Sequence, residues 1–582
     1  MNILENSRVY RFLAGIWLML YRSWDHSFLG KTTQKLSESY DQSLSARLWN
    51  RFCSVKNPGP TSAWARLWMK IRSFWEYMGE ILSHSLFYKI VIWFRDLYFK
   101  LTETSIVFSR INKLSLHQWI LVAFGAYLPI EYVLRDIIGI GIIASVWEEA
   151  FMAGTFVLIL WRVGLKQTRT IDRSTPVGAL ILLYMAVGFL LMNLVQPYPS
   201  IAFAGLRAQV MYMVWFWLIL HMIEDDKDFK VLFASFASVV FLLSLHGIYQ
   251  FIVAVPIPSS WVSQTEAGVR TRVFSLTGSP NIFGSLLVMG APLVESLMYY
   301  CKKPLYKVLA LMGTGIMCVC LLFTFSKGAW LGIMLAIVLF ALFLDKRLFG
   351  VMGAAIAVVL TAVPSVTNRI TYLFTSDYRQ ASAVGGRTLR WETGLNLLHD
   401  NNPWLGFGLG RFGGAVAMNN QILDKTEEFS YFYMDNYYLK TMVEMGYIGL
   451  IFFVLVLVGL AIWGIRAIHQ SDDRFEHGKG YVAPDRSVDP LFRNEGNIKA
   501  LTVGIFSGLM GVLLHCYFEN IFEEPYMMAY FWGLAAAIMY AGFFRERSYS
   551  TCDRIWNEIE TKKTGSEWAG FFVEIYRRQL HK

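Results

Sequence analysis

The chain has 582 residues, of which 55% are hydrophobic and 16% are charged, and its formal net charge is +10. Soluble globular proteins usually carry about 25% charged residues, so this composition excludes an ordinary soluble domain and indicates a membrane protein. A net positive charge can indicate nucleic-acid binding, but here the charge is concentrated at one end of the chain.

Residues 1–115 hold that charge, with 16 Lys and Arg against 8 Asp and Glu, or +8 of the +10. Between residues 64 and 82, apolar and aromatic residues recur every three or four positions, which predicts an amphipathic helix. We predict that this cytoplasmic region lies on anionic lipid headgroups and that nucleic acid is not a partner. A helix packed on another protein is the alternative. Residues 555–580 show a weaker form of the pattern, which predicts that residues 546–582 form a cytoplasmic amphipathic tail.

Twelve apolar runs are long enough to cross a hydrocarbon core of about 30 Å as helices, which predicts an all-α polytopic membrane fold. The predicted spans are residues 116–134, 147–164, 175–195, 205–223, 229–254, 282–300, 305–325, 328–345, 348–364, 437–465, 498–518 and 525–545. Spans 1–9 thus occupy residues 116–364, and spans 10–12 occupy residues 437–545. Residues 136–146 are too short to cross and predict a re-entrant or interfacial piece.

Lys and Arg in the short connections predict the orientation, because such residues are retained on the cytoplasmic side. They fall at residues 162–173, 302–307, 346–347, 466–474 and 545–547. With twelve spans, all of these lie on one side, and both termini are predicted to be cytoplasmic. The outer side then receives residues 255–281 and a large loop, residues 365–436, whose length and aromatic residues indicate an ordered, functional segment.

Several cations stand at the predicted outer ends of spans, where the positive-inside bias would leave few. They are Arg207, Arg270, Arg272, Lys327, Arg387 and Arg390, the last two at the start of a helical-looking stretch in the large loop. Arginine presents a planar fork of donors that matches phosphate oxygens, so several converging on one cavity would form a pyrophosphate site. The alternative is that each one extends to the headgroup level as an ordinary interfacial residue.

The last outer connection carries His515, Glu519, Glu523 and Glu524, the first three spaced four apart as on one helix face. A metal site is one interpretation; a partner cluster for the arginines, or an edge that binds the acceptor, is the one we adopt. The six cysteines are scattered without a C-x-x-C pair, so the sequence predicts no metal site and no cofactor.

The segment from Gly408 to Gly413 reads G-x-G-x-x-G. No apolar strand precedes it, so it is not a dinucleotide-binding fingerprint. We predict that its glycines form a tight backbone turn after Pro403, which allows helix ends or substrate to approach closely.

In chain order, the outer segments resemble the O-antigen ligase and Wzy-type polysaccharide polymerase superfamily over residues 116–545. The motifs that carry the resemblance are Gly205-Leu-Arg207, Arg272 to Asn281, Phe325 to Gly332, Gly386 to Trp391, Pro403 to Gly410, Asp435 to Leu439 and Glu444 to Gly449. The resemblance implies a metal-independent glycosyltransferase of GT-C type in the bacterial cytoplasmic (inner) membrane. Its donor would be a glycan on undecaprenyl pyrophosphate, bound at the outer face, and other polysaccharide assembly proteins are possible partners.

One position departs from the ligase branch of that superfamily. A histidine is expected just before the Asn-x-x-Leu that opens the span after the large loop, and this chain has Asp435. The departure favours the polymerase branch. Asp435 is a candidate general base, although capping the helix or pairing with an arginine are open alternatives. Glu392 is the second candidate base, and His399 is the next.

Two other classes of function remain as alternatives. A lipid-linked oligosaccharide flippase or exporter would favour inverted repeats and paired broken helices, which the sequence does not clearly show. A non-catalytic membrane scaffold is suggested only by the long amphipathic N-terminal region.

Overall fold

The computed structural model describes residues 114–139, 141–166, 173–195, 198–258, 271–362, 386–421, 432–472 and 497–545, with short pieces inside 363–385 and 475–481. Nearly all of them belong to one compact unit, Thr102–Trp161 with Arg173–Lys582. A second unit, Met1–Leu101 with Arg162–Asp172, contributes only the end of one helix to the described residues. The amphipathic segments predicted within residues 1–115 and 546–582 lie outside the described residues. Arg270 also lies outside them.

The regular secondary structure of the described residues is helical. The exception is one antiparallel pair of two-residue strands, β1 (Phe475–Glu476) and β2 (Gly480–Tyr481). The α-helices are α1 (Leu116–Gly125), α2 (Tyr127–Tyr132), α3 (Gly141–Lys166), α4 (Pro176–Leu194), α5 (Pro199–Val210), α6 (Trp215–Met222), α7 (Asp226–Val253), α8 (Pro280–Tyr300), α9 (Pro304–Phe323), α10 (Lys327–Phe343), α11 (Leu348–Ala362), α12 (Arg387–Asp400), α13 (Ala415–Asn420), α14 (Tyr437–Gln470), α15 (Ile498–His515) and α16 (Pro525–Met539). Single 3-10 or π turns continue or join them at Val133–Ile138, Met211–Val214, Ile521–Glu523 and Tyr540–Phe544. The predicted all-α fold is confirmed.

Eight of the described helices are long and apolar enough to cross a membrane, which confirms a polytopic membrane protein. They are Pro176–Leu194, Pro199–Met222, Asp226–Val253, Pro280–Tyr300, Pro304–Phe323, Tyr437–Gln470, Ile498–His515 and Pro525–Phe544. The shorter apolar helices α1, α10 and α11 coincide with other predicted spans. The count of twelve spans stays a prediction.

The boundaries of these helices follow from local chemistry. Proline occupies the first turn of α4, α5, α8, α9 and α16, where its missing N–H removes no helical hydrogen bond. Other helices begin after a polar residue whose side chain accepts a hydrogen bond from a free backbone N–H of the first turn. Asp225, Ser326, Asn436 and Asn497 have this role at α7, α10, α14 and α15.

Residues 136–146 do not form the separate re-entrant or interfacial piece that we predicted. The chain leaves the π turn at Ile138, reverses at Gly139 with φ of 66°, and enters α3 at Gly141. The polar pair Glu148 and Glu149 interrupts the apolar pattern, so the sequence placed the start of this helix six residues late.

Close helix packing builds the centre of the bundle. Most side chains of α8, α15 and α16 are buried, whereas α4 and α9 expose leucines on their outer faces. A Cβ on Gly508 of α15 would lie 2.5 Å from the backbone oxygen of Met289 in α8. One on Gly511 would lie 2.6 Å from the oxygen of Gly332 in α10. Small residues allow membrane helices to approach this closely, and the end of α15 is thereby fixed between α8 and α10.

Helix α14 is broken at Gly446, where φ is 67° and ψ is −174°. A segment of the large loop fills the break. The amides of Phe407 and Gly408 donate to the oxygens of Val443 and Glu444 at 2.7 and 3.0 Å. On the other side of the break, the amide of Tyr447 donates to the oxygen of Pro403 at 2.8 Å. The loop backbone thus replaces the missing helical hydrogen bonds and fixes the large loop to the membrane helices.

We expect Gly446→Ala to lower the free energy of unfolding by about 3 kcal/mol. Its backbone conformation is essentially restricted to glycine, and an added Cβ would lie 2.2 Å from the oxygen of Trp404. Thermal unfolding of the purified protein in detergent measures the change. Gly315→Ala in α9 is the matched control, because its added Cβ would meet nothing within 4 Å. Equal melting temperatures for the two variants would contradict this account of the break.

Candidate functional site

Three side chains from the first turns of α12 converge on Asp435. Residues 387, 390 and 391 are spaced i, i+3 and i+4 and so share a helix face. The Nε of Arg387 donates to Oδ2 of Asp435 at 2.8 Å, and Nη2 of Arg390 donates to the same oxygen at 3.3 Å. The indole Nε1 of Trp391 donates to Oδ1 at 3.1 Å. Asp435 therefore holds both arginines just before α14 begins.

The same group is joined to the connection between α15 and α16, since Nη2 of Arg387 donates to the backbone oxygen of Phe518 at 2.9 Å. The side chains of Arg387 and Arg390 are 37% and 32% exposed, so both are partly accessible, although Nε of Arg390 is buried. Asp435, with a side chain 10% exposed, is instead enclosed by them.

Arg272 lies on the other side of Glu519 from Arg387, in the segment that leads into α8. Its Nε donates to the oxygen of Thr324 and its Nη2 to Oδ1 of Asn281, each at 2.9 Å. Asn281 in turn donates through Nδ2 to Oε2 of Glu519. We call Arg272, Arg387, Arg390 and Asp435 the arginine cluster.

Glu519 lies between the two sides of the arginine cluster. Partial burial raises the pKa of its carboxyl, and the neighbouring charge of Asp435 also raises it. The charge of Arg387 and the hydrogen bond from Asn281 act in the opposite direction. Glu519 therefore has a higher proton affinity than an ordinary surface glutamate.

His515 and Lys327 lie beside these groups at the ends of α15 and α10. The Nδ1 of His515 shares a hydrogen bond of 2.6 Å with Oγ of Ser285, and its Nε2 lies 3.4 Å from Oγ of Ser326. The Nζ of Lys327 lies 5.5 Å from the centre of the Tyr372 ring. The structure thus places Lys327 next to the Ser326 cap and to His515.

A second charged group fixes the large loop. The buried Nζ of Lys440 lies 3.1 Å from Oε2 of Glu444 and 3.2 Å from Oε2 of Glu523. Glu444 also accepts from the amide of Phe412, and Glu523 accepts from the amide of Ala415 at 2.7 Å. All three charges are therefore satisfied by each other and by the loop backbone, which gives this group a structural role.

Arg207 of α5 belongs to a third charged group, whose other members lie on α2, on the π turn that follows it and on α3. It pairs with Glu149 of α3. Nearby, Arg135 lies 3.3 Å from Glu131 and 3.1 Å from Glu148. The predicted convergence of Arg207 with Arg272 and Arg390 is therefore not seen as a direct contact, because the acidic residues of α3 hold Arg207 instead.

Glu524 lies between these groups at the start of α16. Burial, followed by the nearby charge of Glu523, raises the pKa of its carboxyl to about 7. Arg135 lowers this pKa, and Glu519 and Glu148 raise it further. Glu524 is thus within electrostatic range of both Glu519, beside the arginine cluster, and Arg135, in the third group.

The other two candidate bases, Glu392 and His399, lie elsewhere on α12. Glu392 is exposed on α12, one position beyond the face that holds Asp435. His399 lies about 18 Å further along α12 than Arg387, at 1.5 Å per residue, and its Nε2 is 3.4 Å from the hydroxyl of Tyr447. Neither is brought into the arginine cluster.

The prediction that His515, Glu519 and Glu523 share one helix face is wrong. Helix α15 ends at His515, the chain turns through residues 516–520, and Ile521–Glu523 forms a separate 3-10 turn. The three side chains accordingly have different partners: Ser285 for His515, Asn281 for Glu519 and Lys440 for Glu523. Among the described residues, no group of three or more His, Cys, Asp or Glu side chains could hold a metal ion.

The sequence reasoning did not assign a role to Trp391, Asn281 or Lys440. A signal was present for Lys440, since a lysine four residues before Glu444 inside an apolar helix predicts an ion pair. The predicted glycine turn, which lets a helix approach closely, is confirmed. Gly410 has φ of 74°, and a Cβ on Gly205 of α5 would lie 2.2 Å from the amide nitrogen of Gly410. The order predicted for the large loop is confirmed within residues 386–421, where Phe407 and Phe412 are buried.

Residues 312–454 match a family model, Wzy_C, described as O-antigen ligase. This segment includes Lys327, Arg387, Arg390, Asp435 and the break at Gly446, whereas Arg272 and Glu519 lie outside it. A comparison with curated proteins gives no match. The resemblance to the O-antigen ligase and Wzy superfamily is confirmed for this segment, and the preference for the polymerase branch stays a prediction.

Proposed function

We propose that this integral membrane protein, whose residues 312–454 match the O-antigen ligase family, polymerises glycan units carried on undecaprenyl pyrophosphate. The family supports the coarser assignment, a membrane enzyme of polysaccharide or O-antigen assembly that uses a lipid-linked glycan. The polymerase activity, the undecaprenyl carrier, the GT-C type, the absence of a metal requirement and the outer face of the bacterial inner membrane are our proposal. Ligation of the glycan to another acceptor is the nearest alternative.

The observation that carries the proposal is an apolar groove that is connected to the arginine cluster through Tyr517 and Trp391. The groove has a volume of about 500 Å³ and lies between α10, α14 and α15. Its lining includes Leu335, Leu339, Tyr438, Phe506, Met510 and Tyr517. Tyr517, at the end of the groove, packs edge to face on Trp391 with ring centres 5.5 Å apart, and Trp391 donates to Asp435. A ligand with an apolar tail and an anionic head fits this sequence of surfaces.

The chemistry of transfer explains why cations are needed at that end. When an acceptor hydroxyl attacks the anomeric carbon, the bond to the pyrophosphate breaks and negative charge develops on the leaving oxygen. Donors positioned for that charge lower the barrier. We assign this role to Arg272, Arg387 and Arg390, with Lys327 in support. Arg207 would have to exchange Glu149 for phosphate before it could take part.

A transporter is the second candidate, because α14 is a broken helix and such helices form binding sites in many transporters. In this protein, however, the loop backbone from Pro403 to Gly408 occupies the break and satisfies its hydrogen bonds. The freed groups are therefore not directed at a substrate cavity, and the enzyme proposal accounts better for the geometry.

Loss of the protein from cells tests the proposal. We expect the lipid-linked glycan unit to accumulate in the outer leaflet of the inner membrane and the long polymer to disappear. Accumulation in the inner leaflet would indicate a flippase and would contradict the proposal. Normal amounts of both unit and polymer would support the scaffold alternative.

The proposed orientation makes a separate prediction. In a variant that lacks the six native cysteines, a cysteine at the exposed residue Asn401 should react with an impermeant thiol reagent in intact cells. A cysteine at Lys346, at the opposite helix ends, should react only after the cells are permeabilised. The reverse pattern would show that the arginine cluster faces the cytoplasm.

A further inference from the structure

Glycan transfer requires a base for the acceptor hydroxyl, and Asp435 is poorly arranged for that task. Oδ2 accepts from Arg387 and Arg390, and Oδ1 accepts from Trp391. Both carboxylate oxygens of Asp435 are thus engaged by side-chain donors of α12, which hold it between the two arginines. A better base would be a neighbouring carboxylate that lies near the arginines without being paired to them.

Most carboxylates at this end are bound by a cation. Glu444 and Glu523 share Lys440, Glu131 and Glu148 share Arg135, and Glu149 pairs with Arg207. Glu392 is exposed on α12 and outside the arginine cluster. Among the described residues, Glu519 and Glu524 are the two half-buried carboxylates of this region that form no ion pair with a cation.

Glu519 has the better position of these two. Its Oε1 accepts from the amide of Asn520 at 3.4 Å, and its Oε2 accepts from Asn281. Oδ1 of Asn281 accepts from Arg272 at 2.9 Å, so Asn281 links Glu519 to one side of the arginine cluster. On the other side, Arg387 is its principal charged neighbour, and Arg387 is bound to the oxygen of Phe518, the residue before Glu519. Glu524 is the poorer candidate, because its main cationic neighbour is Arg135, which is not a member of the arginine cluster.

We propose that Glu519 is the general base that removes the proton from the acceptor hydroxyl. This inference rests on the proposed function. In the step, the O–H bond of the acceptor breaks and its proton moves to a carboxylate oxygen of Glu519. The acceptor oxygen forms a bond to the anomeric carbon, and the bond from that carbon to the pyrophosphate breaks. The electron pair leaves with undecaprenyl pyrophosphate, held by the arginines. Asn281 is the positioning residue, because it fixes the carboxylate relative to Arg272.

The electrostatic surroundings agree with this role. A base must be deprotonated before the reaction and must have appreciable proton affinity during it. The pKa of Glu519 is raised above its ordinary value of 4.5. The groups that face it are Arg387 and Asp435 from the large loop, Arg272 through Asn281, and Glu524 on its own connection. Its raised pKa predicts that activity rises with pH as Glu519 loses its proton, and that this rise occurs above the ordinary glutamate range.

The test uses the purified full-length protein. Its substrate is the undecaprenyl-pyrophosphate-linked glycan isolated from cells that lack this protein. Glu519→Gln keeps the shape and the hydrogen bond from Asn281 but cannot take a proton. We expect its kcat to fall by about 10²- to 10⁴-fold, its KM for the donor to stay within about threefold, and the rise of kcat with pH to disappear. Asp400→Asn, an exposed carboxylate at the end of α12, should behave as the parent protein.

The outcomes separate this inference from the proposed function. An active parent protein together with a Glu519→Gln variant that keeps the parental kcat and pH profile would overturn the role of Glu519 alone. A change in KM without a change in kcat would also overturn it, because it would indicate donor binding. If Glu519→Gln fails to fold, Glu519→Asp must keep the pH-dependent rise at a reduced rate; a flat pH profile in this variant would contradict the proposal. A parent protein that does not turn over the donor would overturn both.

Discussion

Arg387→Ala is expected to remove nearly all glycan transfer. Arg387 joins the large loop to the connection between α15 and α16, and its side chain is 37% exposed. Loss of one hydrogen-bonded partner of a charged group typically costs about 2 to 5 kcal/mol, which corresponds to a loss of about 30- to 5,000-fold in kcat/KM. The same range applies to Arg272→Ala. Glycan transfer by the purified variants measures the effect.

The controls for this prediction concern charge and geometry. Arg387→Lys keeps the charge but loses the planar fork, so we expect it to retain less than a tenth of the activity. Arg347→Ala removes an exposed arginine at the opposite helix ends and should leave transfer unchanged. Near-normal transfer in both Arg387→Ala and Arg272→Ala would show that the pyrophosphate is not held by the arginine cluster.

Asp435→Asn is expected to lower kcat/KM by about 30-fold, mainly by raising the KM for the donor. The amide keeps one oxygen as an acceptor, but its NH₂ group would face Arg387 or Trp391 as donor against donor. The two arginines would therefore lose the anion that orients them. We place the effect at the lower end of the range for charge pairs because both arginine side chains are about one third exposed.

The kinetic parameters of this variant separate orientation of the arginines from catalysis by Asp435. If Asp435 orients the arginines, the variant keeps the pH-dependent rise in kcat that we attribute to Glu519. If Asp435 is the base, KM stays unchanged, kcat falls, and kcat no longer depends on pH. The second result would restore our first sequence-based candidate and contradict the assignment of the base to Glu519.

The sequence predicted the membrane fold well because helix formation in a membrane depends mainly on local apolarity and length. Predicted spans 282–300 and 498–518 correspond to α8 and α15 within a few residues. The helix that begins at Arg387 lies in the large loop, and the sequence indicated it only as a helical-looking stretch opened by Arg387 and Arg390. The break at Gly446 was not, because it depends on backbone groups supplied by Pro403 to Gly408, about 40 residues earlier.

The site was less predictable because its pairings join distant parts of the chain. The type of residue was sufficient to select Arg272, Arg387 and Arg390 as anion ligands. It could not show that Arg207 faces Glu149, 58 residues away, or that Asn281 reaches Glu519, 238 residues away. The regular spacing of Glu519 with His515 was misleading, because helix α15 ends before Glu519 and the chain turns there.

The proposed reaction breaks the bond between a glycan and a lipid pyrophosphate. The most direct measurement uses purified protein in sealed liposomes with the undecaprenyl-pyrophosphate-linked glycan as the only substrate and EDTA in the buffer. We predict one free undecaprenyl pyrophosphate for each new glycosidic linkage, with glycans that lengthen over time. Intact donor that has only moved from one leaflet to the other would contradict the claim and identify the protein as a transporter.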